Sequence, residues 1–127
     1  MNVKKVKWFT EELVKSNPDC VFIFGDNLLK VGKGGQAIIR DHFNAYGIPT
    51  KKHPSMSQNS FFYDSEYDDN CQIILSAIDN IPKNFSQIVF PIDGLGTGLA
   101  KLNVTAPKTY KFLIDTINNR FGDIYEY

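Results

Sequence analysis

Cys20-Val21-Phe22-Ile23-Phe24-Gly25-Asp26-Asn27 leads, through Leu28-Leu29-Lys30-Val31, into Gly32-Lys33-Gly34-Gly35-Gln36-Ala37. Five consecutive apolar residues without polar alternation predict a strand covered on both faces, as in a parallel sheet between layers of helices. Gly25 ends the run, and the loop beyond it carries Asp26, Asn27 and three glycines, Gly32, Gly34 and Gly35. Gln36 to Asn44, with Ala37, Ile38 and Phe43, then reads as a helix. A second unit has the same form: Gln87-Ile88-Val89-Phe90-Pro91-Ile92 runs into Gly94-Leu95-Gly96-Thr97-Gly98. Both apolar strands therefore end in glycine-rich loops that lead to helices. In such folds ligands sit at the carboxyl ends of strands, where backbone N–H groups and helix N-termini meet anions.

The rest of the chain fits around these two units. Thr10 caps a short helix through Asn17, with Glu11 and Glu12 in its first turn, and Asn17-Pro18-Asp19 breaks it. Gly47-Ile48-Pro49-Thr50-Lys51 reads as a short strand that Pro49 confines to an edge or an irregular position. His53 to Ser60 is a polar loop. From Asp64 to Ile81, Tyr67, Cys71, Ile74, Leu75 and Ile78 follow helical spacing. The last helix starts near Thr105, has Pro107 in its first turn, and ends at Gly122. Asp123 to Tyr127 is left as either a final edge strand or a loose tail. Strands alternating with helices give the expected architecture, a three-layer α/β/α sandwich with a mixed, mostly parallel central sheet, in one domain spanning residues 1–127.

Composition agrees and excludes other classes. The chain has 127 residues, 14 Lys+Arg against 14 Asp+Glu, 43% hydrophobic and 22% charged residues. That balance suits a globular chain and argues against wrapping nucleic acid through bulk positive charge. Cys20 and Cys71 lie far apart without metal-like spacing, which suits core thiols in a reducing compartment. Met1 to Trp8 is basic but has no continuous apolar segment of a signal peptide, and no stretch is long enough for a membrane span. A cytoplasmic setting is expected, with no metal and no cofactor.

The first glycine loop is not a P-loop, since no Gly-Lys-Ser/Thr ends it, and it lacks the dinucleotide fingerprint. Alone it could be a tight strand-to-helix turn; two such loops at equivalent positions point to a phosphate or diphosphate ligand. Thr50-Lys51-Lys52-His53 lies between them. Paired lysines commonly form a solvated run, but Lys51 follows a segment that returns to the sheet. Near a diphosphate its amine would supply charge, or attack an aldehyde carbon if its pKa were lowered. His42 reads as a surface residue, and neither His42 nor His53 has metal-ligand spacing. The Phe61-Phe62-Tyr63 segment supplies core aromatics, or a ring at the cleft rim able to stack on a base.

Taken in order, Gly32-Lys33-Gly34-Gly35-Gln36-Ala37, Thr50-Lys51-Lys52, Phe90-Pro91 and Gly94 to Leu99 resemble the macro domain family, which binds ADP-ribose. The closest likeness is to the branch containing the terminal ADP-ribose protein glycohydrolase, over roughly Val21 to Ile117. The resemblance implies that Asp26 and Asn27 lie at the nucleoside end of the cleft, that Gly34, Gly35 and Gln36 line the diphosphate and distal ribose, and that Gly96, Thr97 and Gly98 close over the phosphates. Lys51 matches the lysine that attacks the ribose C1″. The family's catalytic acid follows Gly-x-Gly-Leu, where this chain has Ala100, which transfers no proton; Asp93 is the nearest carboxylate, although a turn-forming role suits it equally. The candidate set is Lys51 and Asp93 for catalysis, and Gly25, Asp26, Asn27, Gly32, Lys33, Gly34, Gly35, Gln36, Gly94, Leu95, Gly96, Thr97 and Gly98 for ligand.

Three other classes compete with an enzyme that releases ADP-ribose from a modified macromolecule. One is a module that binds ADP-ribose without turnover, consistent with Ala100. Another is a nucleotide phosphoribohydrolase, whose Gly-Gly-x-Gly-Thr motif is similar but whose glutamate is again replaced by Ala100. The third is an α/β protein-interaction domain. Charge is uneven along the chain: Asp26 to His53 holds Lys30, Lys33, Arg40, Lys51 and Lys52 against two acids, whereas Asp64 to Asp79 holds five acids and no base. Neutrality overall thus leaves room for a locally basic cleft.

Overall fold

The apolar run Cys20–Phe24 forms the start of a buried strand, β2 (Cys20–Asn27), in the computed structural model, which describes residues 1–126. Its lack of alternation has a simple cause. Val21 and Ile23 enter one hydrophobic cluster, while Cys20, Phe22 and Phe24 enter another on the opposite face. The same holds for β4 (Gln87–Pro91), where Ile88 and Phe90 face one cluster and Val89 the other. These two strands are neighbours. With β1 (Asn2–Val6) and β3 (Ala45–Lys51) they form one sheet in the order β1-β4-β2-β3.

Every strand pair is parallel. The expected sheet was mixed, but the antiparallel pairing among the described residues is an isolated bridge between Lys51 and Phe61. One face of the sheet is covered by α1 (Glu11–Ser16) and a short 3-10 helix, Gly35–Ile39, through Val14, Ala37 and Ile39. The other is covered by α2 (Tyr67–Asp79), α3 (Leu102–Thr105) and α4 (Pro107–Phe121), through Ile74, Ile78, Leu102, Leu113, Ile114 and Ile117. The result is the three-layer α/β/α arrangement.

Capping at Thr10, the edge position of β3 with its Pro49, Pro107 at the start of α4 and Gly122 at its end all follow the sequence reading. Gly122 has φ +92°, the left-handed conformation that favours glycine after a helix.

Four features differ. β1 has no apolar alternation, so its sequence shows only a basic segment. It is an exposed edge strand whose lysines deter further pairing, and Lys5 Nζ donates to the Ile124 carbonyl at 2.9 Å. The helix expected over Gln36–Asn44 is only the 3-10 turn. Asn44 is buried, and its side-chain amide donates to the carbonyls of Val14, Asn17 and Cys20 at 3.0, 3.0 and 3.1 Å. Those bonds pin the chain at the entry to β3 and leave no length for another helical turn, so Phe43 stays exposed. Cys20 is buried but Cys71 is half-buried, and both are unpaired thiols. Finally, the segment after Gly122 is neither strand nor loose tail as far as it is described: Ile124 and Tyr125 are buried, and Tyr125 Oη donates to the Pro91 carbonyl at 2.6 Å. Tyr127 lies outside the described residues.

Candidate functional site

All four strands are parallel, so their carboxyl ends share one edge of the sheet. The chain leaves β2 toward the face that carries α1, and leaves the adjacent β4 toward the face that carries α3 and α4. Adjacent strands whose loops part to opposite faces open a crevice between them, the usual ligand position in an open α/β sheet. The two glycine loops are those loops. A Cβ on Gly25 at the end of β2 would stand 3.3 Å from the Gly96 amide nitrogen, and one on Gly34 would stand 3.3 Å from Leu99 Cδ1. The loops thus meet near the sheet and again across the cleft.

The cleft has a volume of about 690 Å3. Gly25, Asp26, Asn27, Gly32, Gly34, Gly35, Gln36, Lys51, Asp93, Gly94, Gly96, Thr97 and Gly98 all line it. Two residues of the expected set do not. Leu95 is buried in the core, and Lys33 points to solvent, paired with Asp41 at 2.6 Å. Each strand end contributes to the wall: Trp8 beyond β1, Gly25–Asn27 from β2, Thr50 and Lys51 from β3, and Pro91 and Asp93 from β4.

Several expected ligand contacts are engaged within the chain. The Asp26 carboxylate receives two bonds from the Arg40 guanidinium, at 2.9 and 2.6 Å, and one from the Asn27 N–H at 2.8 Å. Arg40 also donates to the carbonyls of Gly32 and Val31, so the first loop hangs from this buried ion pair. Asn27 Nδ2 donates to the Val31 carbonyl, and its Oδ1 accepts the Leu29 N–H. Gln36 Oε1 accepts the Phe9 N–H, and its Nε2 donates to the Lys7 carbonyl. Thr97 Oγ1 donates to the Asp93 carbonyl at 2.9 Å. Asp26, Asn27, Gln36 and Thr97 build the loops.

The backbone remains available. Among the described residues, the N–H groups of Gly32, Gly34 and Gly35 and those of Gly96, Thr97 and Gly98 donate to no acceptor of the chain. Gly96, at φ +78°, is packed so closely that a Cβ there would lie 3.0 Å from Thr50 Cβ, whereas Gly98 has nothing within 4 Å. Free amides on glycine backbone form concavities that suit phosphate oxygens.

Lys51 is 6% exposed, and its ammonium lies 4.8 Å from the centre of the Phe61 ring and 3.7 Å from Met56 Sδ. No carboxylate pairs with it among the described residues. Burial, and then the nearby charge of Lys101, push its pKa below the ordinary lysine value. Such an amine is more readily neutral, and so more nucleophilic, than a surface lysine. Lys52, in contrast, pairs with Glu66 at 2.5 Å. The basic stretch around the first loop is therefore less basic than its count, since Lys33, Arg40 and Lys52 each have an acidic partner. Asp93 is exposed on the β4 side of the cleft, and Ala100 is a buried part of its wall.

Trp8 is a cleft residue that no motif marks, while Arg40 and Leu99 stand out in the sequence only as part of the basic stretch and of the second loop. Trp8 sits in a segment with no pattern, and the Arg40–Asp26 pairing spans fourteen positions that only the fold brings together. The Phe61-Phe62-Tyr63 rings are not in the cleft: Phe61 and Phe62 are buried, and Tyr63 donates to the Gln58 carbonyl. His42 is half-buried and lies 3.1 Å from Glu11 Oε1. Among the described residues no group of three His, Cys, Asp or Glu side chains is placed to hold a metal ion, and no helix is long and apolar enough to cross a membrane.

Residues 4–116 match a family of unknown function, DUF7831. The chain belongs to that family. The matched stretch takes in every strand end that lines the cleft and runs into α4. No curated protein and no solved structure matches the chain.

Proposed function

We propose that the cleft binds ADP-ribose or a related nucleotide diphosphate, with the diphosphate on the amides of the two glycine loops and the distal ribose beside Lys51. The observation that carries this reading is the pair of loops leaving adjacent strands to opposite faces, with unpaired N–H groups on glycine-rich backbone that lines one cleft. In the catalytic form of the reading, the neutral Lys51 amine attacks ribose C1″. The N–C bond forms as the bond from C1″ to the modified macromolecule breaks, and Asp93 relays the amine's proton to the departing group. Water then displaces Lys51 and frees ADP-ribose.

Titration calorimetry with ADP-ribose, followed by a release assay on an ADP-ribosylated protein, tests both parts. Saturable binding with release that Lys51→Ala abolishes is expected. Capture of a lysyl adduct on Lys51 by cyanoborohydride, read by mass spectrometry, would add the chemical step. A second reading, a binding module without turnover, is favoured by Ala100 at the position of the acid. It is the result if ADP-ribose binds and nothing is released, with Lys51→Ala making no difference. Cleavage of a nucleoside monophosphate to free base would overturn both. The two unpaired thiols suit a cytoplasmic setting.

A further inference from the structure

Trp8 is 61% exposed, although it is the largest apolar side chain of the protein, and it lines the mouth of the cleft. Its backbone is held on both sides. The Gln36 side-chain amide accepts the Phe9 N–H at 2.8 Å and donates to the Lys7 carbonyl at 2.9 Å, so one amide brackets residue 8. Phe9 is buried, with its ring edge-on to Phe22 at 5.3 Å. The main chain at Trp8 is thus anchored to the core and to the first glycine loop, while the indole is left in solvent. Among the described residues no other aromatic side chain lines the cleft.

We propose that Trp8 is the platform on which the aromatic base of the bound nucleotide stacks, with Gln36 as the residue that positions it. The inference rests on the nucleotide reading of the cleft and adds how the base is selected. Of the polar side chains that line the cleft, Asp26, Asn27 and Gln36 have their groups engaged within the chain, while Asp93, at the end of β4 beside β1, is exposed. Recognition through the ring face takes any base with a large π surface, so adenine and guanine are accepted alike and a base-free diphosphate gains nothing from the indole.

Trp8 is the single tryptophan of the chain, so its fluorescence reports on this position alone. ADP-ribose, GDP-ribose and inorganic pyrophosphate are titrated by calorimetry and by tryptophan emission. Both nucleotides are expected to change the emission with the calorimetric midpoint and to bind within roughly tenfold of each other, while pyrophosphate binds without that change. Trp8→Ala should weaken ADP-ribose on the order of 10- to 100-fold and leave pyrophosphate alone, with Trp8→Phe restoring most of the loss. Gln36→Ala should weaken the nucleotides more than pyrophosphate, and should shift the Trp8 emission of the free protein. ADP-ribose binding with unchanged emission and no effect of Trp8→Ala would overturn the role of Trp8 and leave the cleft reading standing. No heat from any of the three ligands would overturn both.

Discussion

Lys51 shows how burial turns an ordinary residue into a candidate reagent. A lysine among Phe61, Met56 and the cleft wall has no carboxylate to offset its desolvation, so folding disfavours its charged form. The consequence for stability has a definite sign. With the folded pKa below the unfolded one, the charged amine destabilises the fold at neutral pH, and that penalty fades as pH rises through the folded value toward about 10.4, the unfolded one. Lys51→Met should therefore stabilise the protein by about 1 kcal/mol at pH 7, an advantage that shrinks near pH 10, as read from urea melts at the two pH values. A Lys51→Met variant less stable than the parent at pH 7 would show that the amine is held by a partner. The lysine was legible in the sequence as a strand-end residue between two glycine loops; its burial was not, because Phe61 comes to it only through the long loop after β3.

At the scale of elements, strands with two covered faces were readable and exposed ones were not. β2 and β4 are apolar throughout because alternate residues feed separate clusters, whereas β1 lies at an edge and presents lysines. Gln36–Asn44 has apolar content enough for a helix, yet Asn44 reaches back to three carbonyls around α1 and fixes the chain before the helix can extend. Likewise α4 has no side-chain cap of its own, as its N-cap is Ala106. Asp64, from before α2, supplies it: its carboxylate accepts the N–H groups of Lys108 and Thr109 and the Thr109 hydroxyl, each at 2.9 Å. Burial pushes the Asp64 carboxyl up, but these bonds outweigh it and hold it below the ordinary range. Its contribution is thus present above about pH 4 and lost as pH falls through the folded value. Asp64→Ala should cost about 1–2 kcal/mol at pH 7, with the gap to the parent closing in acid, as followed by denaturation at pH 7 and pH 3. An undiminished gap at pH 3 would show that the bonds do not depend on ionisation.

For the whole molecule, the parallel order β1-β4-β2-β3 matters most, since it sets two glycine loops on adjacent strands and sends them to opposite faces. The sequence showed that such loops exist after apolar strands; that the strands are neighbours follows from long-range pairing that no local pattern records. Two glycines separate architecture from ligand. Gly96 has positive φ and is crowded by Thr50 and Leu102, so Gly96→Ala should lower stability by about 2 kcal/mol. Gly98 faces open space and has no positive φ, so Gly98→Ala should stay within about 0.5 kcal/mol of the parent while its methyl enters the proposed phosphate seat. The most direct test of the proposed nucleotide-binding role of the cleft is a calorimetric titration of ADP-ribose into the parent protein and the Gly98→Ala variant, with equal melting temperatures checked first. The predicted result is one saturable site in the parent, weakened at least tenfold in Gly98→Ala; no binding to the parent, or equal binding to both, would contradict it.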